Sequence, residues 1–271
     1  MAVRSKDRGL ITIATCQAPN SAAVIEVLAA FLSTSIGEPI ELRVDTPWQE
    51  RARAIDAGEI DIGWICSIPY VRSIDANIAR YELLATPVRS APRYAGKPIY
   101  FSDIVVRDNS GFRTFDDLRG ARWAYNEPGS FSGYVVVKAH LSELGETRFF
   151  GDILEEGSHE HALDLIRSGQ VDGAAIDSTV LERQRFLNPA AVEGLRVVAR
   201  LGPNPAPPLV VSKNLDPGLR ERLRTATLSM HLDPVGQALI ADVQLSRFAA
   251  VTDADYEPIR LADAKAASID W

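Results

Sequence analysis

The sequence predicts an α/β protein of two similar lobes, each a mostly parallel sheet flanked by helices, joined by two crossover strands. Three observations support this fold class. The chain has 271 residues, more than a single core usually holds. Short apolar runs alternate with stretches of helical periodicity, and part of this pattern recurs 111 residues later. We expect lobe one at residues 1–101 plus 208–271 and lobe two at residues 102–207.

The first third of the chain has a strand–helix–strand–helix–strand order. Strands are predicted at 10–15, 40–44 and 60–65, and helices at 22–35 and 48–57. The first helix ends at Gly37 and the second at Gly58, the residue type that favours the left-handed conformation after a helix. This order is typical of an open parallel sheet with helices on both faces.

A shift of 111 residues superimposes much of this pattern on the middle of the chain without gaps. The pairs brought together are Ser21 with Ser132, Trp48 with His159, Asp61 with Asp172, and Cys66-Ser67 with Asp177-Ser178. We interpret the repeat as two lobes of one design. Independent strand–helix–strand units would also produce some of these matches, so common patterning remains an alternative.

The remaining segments connect and complete the lobes. We predict a helix at 70–78, a strand at 81–87, a crossing strand at 99–106 and a short helix at 114–118. A helix at 180–186 and a strand at 195–199 precede a proline-rich run at 202–208, which we expect to be irregular. A strand at 209–211 crosses back, two helices start at Pro217 and Pro234, and residues 253–267 close lobe one.

One turn dominates the second lobe. An apolar strand at 121–125 leads into a nine-residue segment that contains Ser130, Ser132 and Gly133, and a helix follows as far as Gly145. The start of a helix has unpaired N–H groups and the positive end of the helix dipole, so it is suited to holding an anion. Either serine would also serve as an ordinary N-cap.

In open α/β sheets, ligands lie beyond the carboxyl ends of the strands. The repeat therefore places equivalent loops of both lobes around one cleft. The candidate ligand-binding residues are Ser130, Phe131, Ser132, Gly133, His159 and Asp177 in lobe two, Trp48, Ser67 and Tyr70 in lobe one, and Tyr94 and Tyr100 near the first crossover. Asp177 would equally cap the following helix, His159 would equally be a loop residue or cap, and Trp48 and Tyr70 would equally be core aromatics.

Composition excludes several classes of function. The net charge is −7 and no basic run appears, which argues against binding to nucleic acid. No apolar stretch is long enough to span a membrane. The four histidines do not form a metal-ligand spacing with each other or with a cysteine, so we expect neither a metal nor a cofactor. Cys16 and Cys66 fit free thiols, with a disulfide as the alternative.

The amino-terminal segment bears on the cellular compartment. Residues 1–9 are rich in charge, and the following apolar run is too short for a secretion signal. As the sequence stands we expect a cytoplasmic protein, and a periplasmic one if an export signal was trimmed.

Several segments resemble a known family, the periplasmic phosphate/phosphonate-binding proteins of ABC importers. They are Tyr100-Phe101-Ser102-Asp103-Ile104-Val105-Val106, Asp117-Leu118-Arg119-Gly120, Ser130-Phe131-Ser132-Gly133, Gly157-Ser158-His159 and the run from Gly169 to Asp177. The resemblance extends from about Ile11 to Tyr256. It implies a hinged periplasmic-binding-protein fold of type 2, in which the Ser-x-Ser-Gly turn holds phosphonate oxygens with a histidine and a carboxylate nearby. It also implies an ABC importer permease as partner.

The leading functional hypothesis is a solute-binding protein that closes two lobes on a small phosphorus oxyanion or another small anionic ligand, without catalysis. The alternative is a cytosolic enzyme on the same scaffold, of the dehydratase, decarboxylase or thiamine-precursor type. In that case His159 and Asp177 would act as an acid/base pair on a small carboxylate or phosphate compound. A sensor whose closure is detected by a partner protein is a third possibility.

Overall fold

The computed structural model describes residues 10–270, without the side chain of Asn20. The chain divides into two compact units, one formed by the residues up to Ile99 with Pro205–Tyr256 and the other by Tyr100–Asn204 with the residues from Glu257 onward. We call them unit 1 and unit 2. The amino-terminal segment 1–9, on which the compartment expectation depends, lies outside the described residues.

The regular elements follow one another in an α/β order. The strands are β1 (Ile11–Thr15), β2 (Ile40–Leu42), β3 (Ile62–Trp64), β4 (Tyr81–Arg89), β5 (Ile99–Arg107), β6 (Trp123–Tyr125), β7 (Ile153–Glu155), β8 (Gly173–Asp177), β9 (Leu195–Pro205), β10 (Leu209–Ser212) and β11 (Leu245–Ala249). The helices are α1 (Ala22–Ile36), α2 (Trp48–Asp56), α3 (Ser67–Asp75), α4 (Val136–Leu144), α5 (His159–Ser168), α6 (Ser178–Leu187), α7 (Pro217–Ser229), α8 (Pro234–Asp242) and α9 (Glu257–Ala266).

Unit 1 contains a six-stranded sheet in the order β11-β4-β10-β3-β1-β2. Strand β1 is parallel to β2 and β3, whereas β10 is antiparallel to β3 and β4. The core lies where α1 covers this sheet, and Ile13, Leu28 and Leu32 there are fully buried. The sheet is therefore mixed rather than mostly parallel, because β10 and β11 enter it after the chain has returned from unit 2.

Unit 2 contains a five-stranded sheet in the order β7-β6-β8-β5-β9. Strand β6 is parallel to β7 and β8, and β5 is antiparallel to β8. The Trp123 ring of β6 is buried and stacks on Phe150 with ring centroids 4.2 Å apart. The three parallel strands bring the starts of α4, α5 and α6 to one edge of the sheet.

Strand β9 corrects a sequence expectation. The proline-rich run at 202–208 was expected to be irregular, yet β9 continues through Pro203 to Pro205. Proline cannot donate a ladder hydrogen bond and is confined in sheets mainly to edge strands. Strand β9 is an edge strand of the unit 2 sheet, so it tolerates these prolines.

The chain passes between the units three times rather than twice, and the third passage follows Tyr256. The sequence placed 253–267 in lobe one, but α9 belongs to unit 2, where it packs along α4. Lys265 Nζ lies 2.6 Å from Glu143 Oε1, and the hydroxyls of Ser142 and Ser268 are 2.9 Å apart. The domain boundary expected for the carboxyl terminus was wrong because a helix preference does not say which surface the helix will cover.

The repeat is visible in the structure with one slip. Helices α2 and α5 start 111 residues apart, as do α3 and α6. In the sheets, however, Ile13 pairs with Ile62 and Trp123 pairs with Gly173, so the first strands are offset by 110. Unit 2 therefore has one more residue between its first strand and Ser132 than unit 1 has before Ser21.

Candidate functional site

The turn after β6 takes up this extra residue in a π-helical turn, Phe131–Val135, that leads directly into α4. Its defining hydrogen bond runs from the N–H of Val135 to the carbonyl of Ser130, 3.1 Å. Single π turns form where one residue is inserted into a helix, and they are frequent at functional sites. The N–H groups of Phe131 and Ser132 lie in the first turn and lack intrahelical acceptors. Together with the helix dipole they favour an anion.

Ser130 caps this helix, and its Oγ accepts a hydrogen bond from the N–H of Gly133, 3.2 Å. The side chain is buried, with 7 % exposure. The capping interpretation of the sequence therefore applies to Ser130. Because capping uses only a lone pair of the hydroxyl, its proton stays available for another acceptor.

Ser132 contacts the start of a second helix. Its Oγ lies 3.1 Å from Nε2 of His159, the first residue of α5. Ser158 caps α5, because its Oγ accepts a hydrogen bond from the N–H of His161, 3.1 Å. Ser132 and His159 are 5 % and 4 % exposed. The structure thus brings together two sequence candidates that are 27 residues apart in the chain.

The His159 ring is neutral at pH 7. Burial lowers its pKa to about 4, and nearby Glu160 and a hydrogen bond with the backbone of Ala175 only partly offset that effect. Ser132 occupies Nε2, so the bond with Ala175 in β8 uses the other ring nitrogen. A buried imidazole bonded at both nitrogens has a fixed orientation.

Gly133 is required by close packing. A methyl group added there would overlap the side-chain oxygen of Asn126 and lie 3.1 Å from Cε1 of His159. The oxygen Oδ1 of Asn126 is buried and has no hydrogen-bond partner among the described residues. Sequence analysis missed Asn126, because an asparagine before a turn is an ordinary turn residue.

Asp177 ends β8 and caps α6, since its Oδ1 accepts a hydrogen bond from the N–H of Thr179, 2.7 Å. The neighbouring Ser178 Oγ accepts from the N–H of Phe101, 3.0 Å. Phe131 is 2 % exposed, and its ring centroid lies 6.5 Å from that of Tyr100, which is equally buried. These residues support the turn from behind.

The unit 1 candidates have local structural contacts. Trp48 is half-buried at the start of α2, where its carbonyl accepts from the Cys16 thiol, 3.6 Å. Tyr70 is buried, and its hydroxyl donates to Oδ1 of Asp253, 2.8 Å. Tyr94 is fully buried. The tyrosines therefore do not have the exposure expected of ligand-facing walls.

Ser67 stands at the start of α3 and is fully buried. Its Oγ has no hydrogen-bond partner among the described residues. The equivalent Ser178 of unit 2 is satisfied by Phe101, so the two repeat positions differ in their hydrogen bonding.

Glu156 was also missed by sequence analysis. It follows β7, and its side chain is 1 % exposed, with Oε2 3.1 Å from Nδ1 of His161. Burial raises the pKa of the Glu156 carboxyl to about 7. A glutamate after a three-residue strand gives no signal of such burial, because the burial results from chain segments distant in sequence.

The expectations about metals, membranes and thiols concern residues 10–270. Within that range no group of three or more His, Cys, Asp or Glu side chains is placed to hold a metal ion. None of the helices there has both the length and the apolar character needed to cross a bilayer. Cys16 and Cys66 are free thiols, and burial raises the pKa of Cys16 to about 12.

Comparison with known proteins identifies the family. A family model described as "ABC transporter, phosphonate, periplasmic substrate-binding protein" matches residues 11–256. The chain belongs to this family. The resemblance noted in the sequence is thereby confirmed, and the chain is a substrate-binding protein rather than the enzyme considered as the alternative.

Relatives of this substrate-binding protein are diverse in sequence. It is 24% identical over 212 residues to the "Phosphonates-binding periplasmic protein" of Escherichia coli (strain K12). That alignment includes 74% of this chain and 60% of the relative, so the chain spans about three fifths of the curated relative's length.

Two solved structures show the same fold. One is a binding protein component of an ABC phosphonate transporter from Pseudomonas aeruginosa, with TM-score 0.81, 21% identity, and coverage of 95% of this chain and 86% of that one. The other is PhnD1 from Prochlorococcus marinus (MIT 9301) in complex with methylphosphonate, with TM-score 0.82, 16% identity, and coverage of 96% and 99%. The two-lobed α/β fold of periplasmic binding proteins is thereby confirmed, with mixed sheets.

Proposed function

We propose that this protein is a periplasmic receptor that binds a phosphonate or a related small phosphorus oxyanion and delivers it to the permease of an ABC importer. The observation that carries the proposal is the contact between Ser132 and His159 at the start of the helix that leads into α4. The family description supports the periplasmic alternative over the cytoplasmic expectation.

The proposed anion site is the turn in unit 2. The protein is acidic overall, with a net charge of −7, so its long-range field repels an anion and local donors must supply the binding. Backbone N–H groups of Phe131 and Ser132 and the hydroxyl of Ser130 are such donors. Gly133 lets Asn126 and His159 approach the turn.

The other sequence candidates have secondary roles in this proposal. Trp48 and Asp177 begin helices after parallel strands, the positions where ligands are bound in such sheets, and we propose that they contact the organic group of the ligand. Phe131 and Tyr100 support the turn from behind. Ser67, Tyr70 and Tyr94 are assigned to the interior, because each is buried.

Calorimetry of the full chain with phosphate, phosphite and methylphosphonate tests the proposal. We expect 1:1 binding of at least one of them. Hydrogen bonds to charged groups contribute about 1.5–3 kcal/mol, so Ser132→Ala and His159→Ala should each weaken binding by roughly 10- to 150-fold. His161→Ala is the matched control, because that side chain is 57% exposed and the variant should bind as the wild type does. A folded protein that binds none of the three ligands would contradict the proposal.

A further inference from the structure

The two hydroxyls of the turn have opposite hydrogen-bond roles. Each serine hydroxyl has one proton to donate and two lone pairs to accept with. Ser130 Oγ accepts from the N–H of Gly133, so its proton remains available. The state of Ser132 depends on the imidazole that it contacts.

The proton of the neutral His159 ring can be placed from its two partners. The hydrogen bond with the backbone of Ala175 raises the pKa of the ring, as a carbonyl that accepts from a ring N–H does. The ring therefore carries its proton on Nδ1, and Nε2 is an acceptor. Because Nε2 lies 3.1 Å from Ser132 Oγ, the hydroxyl proton points at His159 and the lone pairs of Ser132 are left for a ligand.

The surroundings of His159 maintain this arrangement. Ser132 on the π turn and Ala175 on β8 are uncharged, and Glu160 on α5 itself is the charged group that acts on the ring among the described residues. A carboxylate at that position favours the protonated ring, but burial has the larger opposite effect. The ring is therefore neutral before the ligand arrives.

An oxyanion with one ionised and one protonated oxygen matches such a pair of serines. This inference rests on the function proposed above. We propose that the turn selects the singly protonated form of its phosphorus oxyanion, with Ser132 Oγ accepting from the P–OH group and Ser130 donating to an ionised oxygen. A dianion would place oxygen lone pairs against those of Ser132, which leaves a buried acceptor without a donor.

Proton uptake tests this selection. Methylphosphonate is titrated into the full chain by calorimetry at a pH above the second pKa of the ligand, in two buffers with different heats of ionisation. We expect uptake of about one proton per bound ligand, and an affinity that falls about tenfold for each further pH unit. Binding without proton uptake would overturn the inference but not the proposed function, whereas no binding at any pH would overturn both.

Phosphorus-31 NMR distinguishes protonation of the ligand from protonation of His159. At pH 9 the bound methylphosphonate should keep the chemical shift of its monoanion, and a dianion shift would overturn the inference. Ser132→Ala should abolish the uptake, since it removes the acceptor. Ser130→Ala, the matched variant two residues away, should weaken binding and keep the uptake. Equal uptake in both variants would also contradict the assignment.

Discussion

The turn after β1 in unit 1 and the turn after β6 in unit 2 occupy the same place in the repeat but have different chemistry. In unit 1 the hydroxyls of Thr15 and Ser21 lie 2.9 Å apart and bond to each other. The turn is a 3₁₀ helix that contains Pro19, which has no N–H to offer. In unit 2 the corresponding serine bonds to a histidine at the start of another helix.

This difference shows how one design gives an inert turn and a binding turn. Unit 2 has one more residue before its serine, and the π turn that accommodates it accompanies the contact of Ser132 with α5. The residue at the start of that helix is His159, where unit 1 has Trp48. A small change of length and one change of side chain therefore separate the two turns.

The largest effect should come from closing the space beside Gly133. In Gly133→Ala the new methyl group overlaps Asn126, so the turn must move away from His159. Overpacking of a buried site costs about 1–3 kcal/mol, and we expect binding by calorimetry to fall below detection.

The equivalent residue in unit 1 is Ala22, which is exposed and already has a methyl group. Ala22→Gly should cost about 0.5–1 kcal/mol of unfolding free energy and leave affinity unchanged. If Gly133→Ala bound as tightly as the wild type, the turns would not differ in the way described.

The next effect concerns stability as a function of pH, which the titratable groups of unit 2 should dominate. His159 has its pKa lowered from 6.5 to about 4, so between these values the unfolded chain binds the proton and the folded chain does not. Its contribution makes stability fall as pH decreases through that window, by at most about 3 kcal/mol.

Glu156 should act in the opposite direction. Its pKa is raised from 4.5 to about 7, so the folded chain holds the extra proton in that window and stability falls as pH increases. Denaturant titrations from pH 4 to pH 7 should show that His159→Gln and Glu156→Gln change the pH slope with opposite signs. Trp48→Phe, the unit 1 counterpart, should leave the slope unchanged. Slope changes of the same sign in the two glutamine variants would contradict these assignments.

The smallest effect compares the serines themselves. Ser130→Ala removes a helix cap and should cost about 1 kcal/mol of unfolding free energy, as well as weakening ligand binding. Ser21→Ala removes the partner of Thr15 and should cost a similar amount, with no change in affinity. Thermal melts and calorimetry on both variants measure the two effects separately. A loss of affinity in Ser21→Ala would show that the unit 1 turn also serves binding.

Local sequence signals predicted part of this arrangement. The glycines after α1 and α5 and the proline or serine before a periodic stretch marked helix ends, because these residues act through the backbone conformation of their own turn. The repeat correctly indicated that His159 and Ser132 begin helices at one sheet edge. Their contact itself depended on sheet register, which the ungapped shift gave one residue wrong.

Features set by distant segments were not predictable. Burial of Glu156, the edge position of β9 and the partner of α9 each depend on surfaces formed far away in the chain. The same is true of Tyr70, whose hydroxyl is bonded to Asp253, 183 residues later. An aromatic residue after a strand has the same local pattern whether it faces a ligand or the interior.

The packing of α9 on α4 has a practical consequence for anyone who trims this gene. The matched family segment stops at residue 256, one residue before α9 begins. A shortened protein that ended there would keep every residue of the phosphonate turn and yet leave the long side of its carrier helix bare to water. Such a product would be expected to clump or to lose its grip on the ligand without a single change in the pocket.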